Sequence, residues 1–304
     1  MGFEDWARDS TRRIREEGWS GVTESVYELY LGMFRQLGRR WNYGVPIYET
    51  EWDLLIVLDA SRADLIAEVT DEYEFVDEKT TYSVASSSGE WMQKNFRDTY
   101  REEMQKTAYV TGNAFSDQHL SEREFLLLNE VWRYAFDHDI RTIPAEAITD
   151  RGIHVGRNHD PDRMILHYMQ PHYPFVPDPL DRGLSIFEDG SPWRNVWEKL
   201  RAGELDRDRV WRAYLENLRY VLDSVGILLS NVDADRVVIT ADHGNLLGEL
   251  GLYDHPQYVP LRPLKAVPWC VTTAEDNETR EPTVEPEGPQ EISTEEQLKA
   301  LGYR

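Results

Sequence analysis

The chain has 304 residues, of which 40% are hydrophobic, so it can form one large folded domain and is not a disordered chain. It carries 56 acidic and 33 basic residues, and its net charge of -23 argues against DNA or RNA as general ligands. No apolar run approaches the roughly 18 residues of a membrane span, and the N-terminus lacks a basic region followed by an apolar stretch. We therefore expect a cytoplasmic protein.

Residues 1–48 are predicted to be an N-terminal unit that contains two helices. Apolar residues recur at helical spacing along the second helix, at Val22, Val26, Leu29, Tyr30, Met33 and Leu37. This stripe ends in a basic spot that is unusual on an acidic protein, formed by Arg35, Arg39 and Arg40. We favour packing of the helix on the main domain. The alternative is peripheral contact of the basic spot with an anionic lipid or glycolipid surface.

Residues 49–275 are predicted to form one α/β domain. Short apolar runs typical of strands buried on both faces occur at residues 53–59, 108–111, 163–168 and 236–240. Helices are predicted between them, over residues 121 to about 136, where a capping box begins, and over 211–229. This alternation indicates a mostly parallel central sheet with helices on both faces, which binds ligands beyond the carboxyl ends of its strands.

The remaining residues, 276–304, are predicted to be an acidic, Pro-rich surface segment followed by a short helix that starts at Ser293. Cys270, the one cysteine, is predicted to be a buried strand residue, and alone it cannot form a disulfide within the chain. Few lysines, many arginines and evenly spread carboxylates are typical of proteins from salt-loving archaea, in which concentrated salt screens an acidic surface.

Two of the predicted strands are followed by carboxylates. Asp59 closes the first strand, and Asp242-His243-Gly244 follows the last one. Two carboxylates and an imidazole are suitable ligands for Mn, Mg, Ca or Zn. Taken singly, Asp59 could cap the next helix and the Asp-His pair could simply end a strand. Their joint occurrence favours a site for one divalent metal ion.

These segments resemble motifs of the alkaline phosphatase and sulfatase superfamily. Residues 56–64 (IVLDASRAD) and 240–249 (TADHGNLLGE) are similar to its two metal motifs. Residues 170–175 (QPHYPF) are similar to its Pro-His-x-Pro loop, and residues 298–303 (LKALGY) resemble a common sulfatase ending. The resemblance implies a three-layer α/β fold and a metal-dependent hydrolase or transferase of phosphate or sulfate esters, on glycans or polyol phosphates.

The resemblance also implies a nucleophile, because in this superfamily a Ser, Thr or modified Cys at the start of a helix attacks the ester and binds the metal. Residues 83–91 (SVASSSGEW) offer such a hydroxyl. Ser87 is the first candidate by its spacing from the helix, and Ser86 is the second. The alternative is a capping box formed by Ser87 and Glu90. Formylglycine sulfatases continue with Pro-Ser-Arg where this chain has Gly-Glu-Trp, so no formylglycine is expected.

Further site residues are implied by the same resemblance. His172 is expected to face the ester and to stabilise or protonate its oxygen near the ordinary pKa of histidine. Arg62 is expected to pair with an ester oxygen or, alternatively, with Asp64. His255 is counted among the candidate metal ligands. It stands where phosphate-transferring relatives often have His and sulfatases often have Lys, which favours phosphate over sulfate.

Two other histidines are predicted to be structural. His167 lies inside an apolar strand and is interpreted as a core residue. Asp150 and His154 have the spacing of a second pair of zinc ligands, but they fall in a predicted helix and are interpreted as surface structure. One metal ion is therefore expected rather than two.

Three functions remain open at the level of sequence. The first is an enzyme that forms a phosphoserine and passes the group to water or to a sugar or polyol hydroxyl. The second is a sulfatase that acts on sulfated glycans with an unmodified serine. The third is a binding or scaffold protein that recognises anionic glycans without catalysis.

The charge of the chain predicts a dependence of stability on salt. Transfer from molar salt to low ionic strength should lower the melting temperature by roughly 5 °C or more, because the carboxylates repel one another when counterions are removed. Calorimetry across a salt series measures this shift. Equal melting temperatures at low and molar salt would contradict the halophilic interpretation.

Overall fold

The computed structural model describes residues 3–159, 161–180 and 195–284, so the C-terminal helix expected from Ser293 and the segment 298–303 lie outside it. The strands are β1 (Leu54–Leu58), β2 (Thr80–Tyr82), β3 (Thr107–Thr111), β4 (Leu127–Glu130), β5 (Arg163–Tyr168), β6 (Ala234–Thr240), β7 (Leu246–Leu247), β8 (Tyr253–Asp254), β9 (Ala266–Pro268) and β10 (Cys270–Ala274). The α-helices are α1 (Phe3–Glu17), α2 (Trp19–Arg40), α3 (Ala63–Ile66), α4 (Ser88–Asn95), α5 (Arg101–Met104), α6 (Ser116–His119), α7 (Ala145–His159), α8 (Val196–Arg201), α9 (Arg207–Leu229) and α10 (Arg262–Lys265).

A six-stranded sheet in the order β10-β6-β1-β5-β3-β4 forms the centre of the fold. Strands β6, β1, β5, β3 and β4 run parallel, and β10 is antiparallel to β6 at one edge. Parallel neighbours need long crossover connections, and here the connections contain α7 and α9. The predicted fold class, a mostly parallel sheet in an α/β arrangement, is confirmed, and Cys270 is buried at the start of β10.

Strand β1 is buried on both faces of the sheet, as its unbroken apolar sequence predicts. Leu54, Ile56 and Leu58 belong to an apolar core that includes residues of α3, α7, α8 and α9. Leu55 and Val57 belong to a second core that includes residues of α4 and α5. Because successive strand side chains point to opposite faces, this division places helices on both sides of the sheet. The result is a three-layer fold.

The register of the central strands determines which loops meet. Leu58 of β1 lies opposite Tyr168 of β5, and Val57 lies opposite Thr240 of β6. Since these strands are parallel, their following loops leave from the same edge of the sheet. The loops after Leu58, Tyr168 and Thr240 therefore converge, and they contain the sequence motifs identified above.

Residues 121 to about 136 are not one helix, so that prediction was wrong. Glu124 does accept a hydrogen bond from the Ser121 N–H at 3.1 Å, as a capping box requires. The turn lasts only over Glu122–Glu124, and β4 follows it. β4 pairs with β3 from Ala108–Leu127 onward, and this long-range pairing outweighs the local helical signal.

Both N-terminal helices are present, and most of the apolar stripe of α2 faces outward, whereas Tyr30 packs on the main domain. Val26 and Met33 are 61% and 64% exposed, and the flanking Trp19 and Trp41 are 83% and 64% exposed. The opposite face is the one that packs: Leu31 is buried in a small cluster with Leu246, Leu252, Val259 and Leu264. Among the helices that the structure describes, none combines the length and apolarity needed to span a bilayer.

The acidic segment after β10 lies against α7 as far as it is described. Asp150 of α7 is fully buried and accepts hydrogen bonds from Arg280 Nε at 2.5 Å and from Thr283 N–H at 2.9 Å. Asp276 forms two further bonds with Arg157 of the same helix, at 2.7 and 2.8 Å. The interpretation of Asp150 as a surface residue was therefore wrong, because this carboxylate anchors residues 280–283.

Candidate metal and ester site

The carboxyl edge of the sheet brings Asp59, Asp242 and His243 together. Asp59 directly follows β1, and the Asp-His pair follows β6 after one residue. One ligand atom of each side chain lies within 4.8 Å of the other two, and all three side chains are fully buried. Within residues 3–159, 161–180 and 195–284, this is the one group of His, Cys or acidic side chains whose geometry could hold a metal ion.

Local backbone contacts hold these side chains in place. The Ala60 N–H donates to Asp242 Oδ1 at 3.0 Å from a left-handed backbone conformation with φ of 62°, which is uncommon for alanine. The Tyr214 hydroxyl donates to the Ala60 carbonyl oxygen and supports the same turn. Gly244 has no room for a side chain, because a Cβ atom would lie 2.1 Å from the Pro263 carbonyl oxygen. The Asp-His-Gly sequence is thus required by packing as well as by chemistry.

The protonation of His243 suits a metal ligand. Its Nδ1 lies 2.7 Å from the Gly244 carbonyl oxygen, which can only accept, so Nδ1 carries the proton and Nε2 presents a lone pair to the carboxylates. Burial lowers the pKa of His243. Burial alone would raise the pKa of Asp242, but the nearby His243 and His167 outweigh it and leave that pKa lowered. A neutral imidazole beside a carboxylate is the combination that binds divalent cations.

Distances between donor atoms fit a shared ion. His243 Nε2 lies 3.6 Å from Asp59 Oδ1 and 3.4 Å from Asp242 Oδ2. Nitrogen and oxygen ligands that bind one tetrahedral ion at 2.0–2.1 Å are about 3.3 Å apart. His167 Nε2 is buried without a hydrogen-bond partner among the described residues, and it lies 3.7 Å from Asp242 Oδ2. These donors fit a divalent cation.

His167 therefore differs from the core histidine that the apolar strand around it predicts. Its Nδ1 is hydrogen-bonded with the Tyr109 hydroxyl at 2.8 Å, so Nε2 is directed towards the carboxylates. Burial lowers the pKa of His167 to about 4, although the charge of Asp242 opposes the shift, and the ring is neutral at pH 7. The available signal in the sequence was its position one residue before the carboxyl end of a central strand.

The Ser88 hydroxyl lies beside Asp59 and His243. Its Oγ lies 3.2 Å from His243 Nε2 and 3.4 Å from Asp59 Oδ2. Asp59 Oδ2 also accepts a hydrogen bond from Asn113 Nδ2 at 2.8 Å. Sequence reasoning missed both residues. Ser88 is the third of three adjacent serines, and Asn113 could be recognised only as a polar residue in the loop after β3.

The two serines that the sequence favoured occupy other positions. Ser87 is the N-cap residue of α4, and its buried Oγ has no hydrogen-bond partner within the described part of the chain. Ser86 is bonded with Glu90 Oε2 at 3.0 Å and with the Pro256 carbonyl oxygen at 2.9 Å. The structure does not bring Ser86 to the metal group. Glu90 contacts Ser86 rather than forming the alternative capping box with Ser87.

His255 lies beside the metal group, which consists of Asp59, Asp242 and His243, but it is not part of that group. Its ring centroid lies 4.8 Å from that of His243, and its Nδ1 lies 2.8 Å from Asp254 Oδ1. His172 packs on the other side of His255, with ring centroids 4.9 Å apart. Burial, with a contribution from the two neighbouring histidines, lowers the pKa of His172 to about 3. The expected titration near an ordinary pKa therefore does not occur, and His172 is neutral at pH 7.

The guanidinium group of Arg62 forms hydrogen bonds with residues that do not belong to the metal group. Its Nε and Nη2 donate to the two oxygens of Asp64 at 2.8 and 2.7 Å, and Nη1 donates to Glu249 at 2.7 Å and to the Asn245 carbonyl oxygen at 2.7 Å. Of the two partners considered from the sequence, the structure shows Asp64. This buried guanidinium group joins the two metal motifs to each other.

A cavity of about 500 Å³ lies beside the start of α4. Ser87 and His255 line it together with residues of α2 and α8. Ser88 follows Ser87 directly but is fully buried, and it does not line the cavity. The arrangement can place an anionic ester beside the N-terminus of α4, where backbone N–H groups favour negative charge.

No family model matches the sequence, and none of the curated proteins matches it. Among solved structures, the C-terminal periplasmic domain of phosphoethanolamine transferase EptC from Campylobacter jejuni is similar, with a TM-score of 0.48 and 16% identity over 74% of this chain and 79% of that one. The soluble domain of lipooligosaccharide phosphoethanolamine transferase A from Neisseria meningitidis has a TM-score of 0.49 and 13% identity, over 74% and 77% of the two chains.

A third similar structure is a protein in the alkaline phosphatase superfamily from Vibrio parahaemolyticus, with a TM-score of 0.40 and 11% identity, over 77% of this chain and 62% of that one. Because the identities are this low and the TM-scores lie below 0.5, the function of the chain is inferred from its own site.

The geometry predicts that a divalent cation stabilises the protein. Mn²⁺ or Zn²⁺ at about 100 times its Kd should raise the free energy of unfolding by about 2.7 kcal/mol. Asp242→Asn should abolish this rise, because it removes a charged ligand. Asp64→Asn is the matched control, since Asp64 lies near the site but contacts Arg62. Thermal unfolding measures the stabilisation of each variant, and elemental analysis measures its metal content. An equal rise in the two variants would contradict the assignment of Asp242 as a metal ligand.

Proposed function

We propose that the protein is a metal-dependent hydrolase or transferase that acts on phosphate esters through a serine nucleophile. The observation that carries this proposal is the position of the Ser88 hydroxyl, within 3.4 Å of both Asp59 and His243. A hydroxyl near its free pKa is a weak nucleophile, and an adjacent metal or base is what activates it. Phosphate is preferred to sulfate because His255 lines the cavity and the chain lacks the formylglycine sequence.

In the proposed reaction, Asp59, Asp242 and His243 would hold the cation, and His167 would add a nitrogen ligand. A divalent cation bound there would lower the pKa of an adjacent hydroxyl and balance charge on the ester oxygens. The bond from Ser88 Oγ to phosphorus forms as the bond to the leaving alkoxide breaks, and the proton lost by the Ser88 hydroxyl balances the proton that the alkoxide takes up to leave as an alcohol. Water or a second alcohol then displaces the serine, which restores the enzyme and completes hydrolysis or transfer.

Residues on the cavity wall would bind the ester oxygens. The buried Ser87 hydroxyl is available to donate a hydrogen bond, and the first N–H groups of α4 are close to it. Glu90, in the first turn of α4, would otherwise repel an anion. Its charge is compensated, because it pairs with Lys94 and accepts hydrogen bonds from the backbone N–H groups of Ser86 and Tyr258.

Two serine variants test the nucleophile. Ser88→Ala should reduce hydrolysis of p-nitrophenyl phosphate by a factor of about 10⁴ or more, because it removes the attacking atom. Ser87→Ala should cost about 10²-fold, the loss expected for one hydrogen-bond donor to the ester oxygens. Steady-state kinetics with Mn²⁺, Mg²⁺, Ca²⁺ and Zn²⁺ measure both variants.

Peptide mass spectrometry after trapping with a slow phosphoester should locate the added phosphoryl group on Ser88. Phosphorylation of Ser87, or equal losses in the two variants, would overturn this assignment. Faster turnover of p-nitrophenyl sulfate than of the phosphate would replace the proposal with the sulfatase function. Full metal binding with no turnover of either ester would instead favour a non-catalytic binding protein.

We also propose that the outward stripe of α2 contacts an anionic membrane surface. The stripe runs between two exposed tryptophans, Trp19 and Trp41, and such rings favour the interface between lipid and water. Residues 1–41 contain seven arginines and seven acidic residues, so this part of the chain lacks the strong negative charge of the whole. An anionic membrane surface would therefore repel residues 1–41 less than it repels the rest of the chain.

Vesicle binding tests the membrane proposal. The protein should sediment with vesicles that contain phosphatidylglycerol, because the exposed apolar side chains and the two tryptophans enter the interface between lipid and water. Val26→Glu with Met33→Glu should abolish sedimentation, whereas Gln36→Glu, on the same helix but outside the stripe, should change it little. Vesicle binding that persists in the double variant would overturn the proposal. So would a wild-type dimer that dissociates in the double variant, because the stripe would then be a contact between two copies of the chain.

A further inference from the structure

The inner face of α2 forms part of the wall of the cavity in front of Ser87. Arg35 and Arg39 of α2 line this cavity together with His255 and Tyr258. The helix can approach so closely because Gly38 has no side chain, and a Cβ atom there would lie 2.0 Å from the Tyr258 carbonyl oxygen. Two arginines of the basic spot therefore face the cavity.

Four carboxylates line this cavity, and two of them form the ion pairs Glu24–Arg201 and Glu28–Arg13. Asp254 Oδ1 lies 2.8 Å from His255 Nδ1, and Glu198 accepts a hydrogen bond from the Asn195 N–H at 3.3 Å. Arg35 and Arg39, by contrast, form no ion pair within residues 3–159, 161–180 and 195–284. The guanidinium group of Arg39 lies over the Tyr258 ring, 4.8 Å from its centroid.

Arg35 and Arg39 thus lack an ion pair in the described part of a chain whose net charge is -23. They are four residues apart on a helix, so their side chains lie on the same face and their like charges destabilise the free protein. Partial desolvation at the cavity wall and then the charge of Arg39 lower the pKa of Arg35, although the residue as a whole is exposed. A bound anion would relieve this repulsion, and the guanidinium fork binds phosphate and carboxylate oxygens in pairs.

We propose that Arg35 and Arg39 bind a second anionic group of the substrate, separate from the ester that reacts at Ser88. The substrate class is then an ester with two anionic groups, such as a bisphosphorylated polyol or the headgroup of a phosphorylated lipid. This inference rests on the proposed function, because it takes the reacting ester to lie against Ser87 and His255 in the same cavity.

The test compares a substrate with one anionic group and a substrate with two. With inositol 1,4-bisphosphate, the double variant Arg35→Gln/Arg39→Gln should raise KM at least 10-fold and leave kcat nearly unchanged. With inositol 1-phosphate, both parameters should change less than about 3-fold. Arg40→Gln is the matched control, because Arg40 is exposed on the same helix and does not line the cavity.

Calorimetric titration separates failure of this inference from failure of the proposed function. In the Ser88→Ala background, the arginine substitutions should weaken binding of the bisphosphate at least 10-fold and that of the monophosphate little. If the wild-type protein shows this binding pattern but turns over neither ester, the proposed function is refuted. The second anion-binding site would still be supported. If the arginine substitutions weaken binding of the bisphosphate and the monophosphate equally, or weaken neither, the proposal of a second anion-binding site is wrong.

Dioctanoyl phosphatidylinositol 4-phosphate distinguishes the two sources of such a group. Binding of this lipid and of inositol 1,4-bisphosphate with similar affinity, both dependent on Arg35 and Arg39, would identify a soluble headgroup as sufficient. Tighter binding of the lipid, with the same dependence, would identify a lipid-linked ester. Binding of either ligand that is independent of both arginines would count against the proposal.

Discussion

Burial of two carboxylates at one edge of the sheet is the constraint on which the rest of the structure depends. Asp59 and Asp242 are fully buried, and the groups around them include backbone N–H, amide, hydroxyl and imidazole groups. Removing a charge from water costs several kcal/mol unless a compensating charge is close. A divalent cation at this site would supply that charge. The surrounding features, the turn at Ala60 and the neutral imidazole of His243, keep the carboxylates in position for it.

Helix α2 gives the N-terminal unit two separate roles in the proposed function. One face packs through Leu31 on the loops that follow the metal motifs and presents Arg35 and Arg39 to the cavity. The other face exposes an apolar stripe that includes Met33. A helix can do both because residues three or four apart share a face, whereas residues two apart do not. Substrate selection and surface contact could therefore act through the same helix.

The prediction for residues 121–136 failed for a general reason. A capping box is a local signal, and it is present here between Ser121 and Glu124. Whether a helix continues beyond its first turn depends on what the following residues contact. In this fold Leu127–Glu130 pair with β3, and a parallel pair between neighbouring elements cannot be recognised from local spacing. The same limitation applied to Asp150, whose partners lie more than a hundred residues away.

The sequence by itself determined four of the central strands and pointed to the candidate metal ligands. Unbroken apolar runs predicted these strands, and a carboxylate at the end of such a run lies at the carboxyl edge of a parallel sheet, which singled out Asp59 and Asp242. Only the tertiary structure decided which hydroxyl meets them. Ser86, Ser87 and Ser88 are adjacent and chemically identical, and their directions depend on where α4 begins and how it packs. The outward direction of the α2 stripe was decided in the same way, because a stripe shows that one face is apolar but not what covers it.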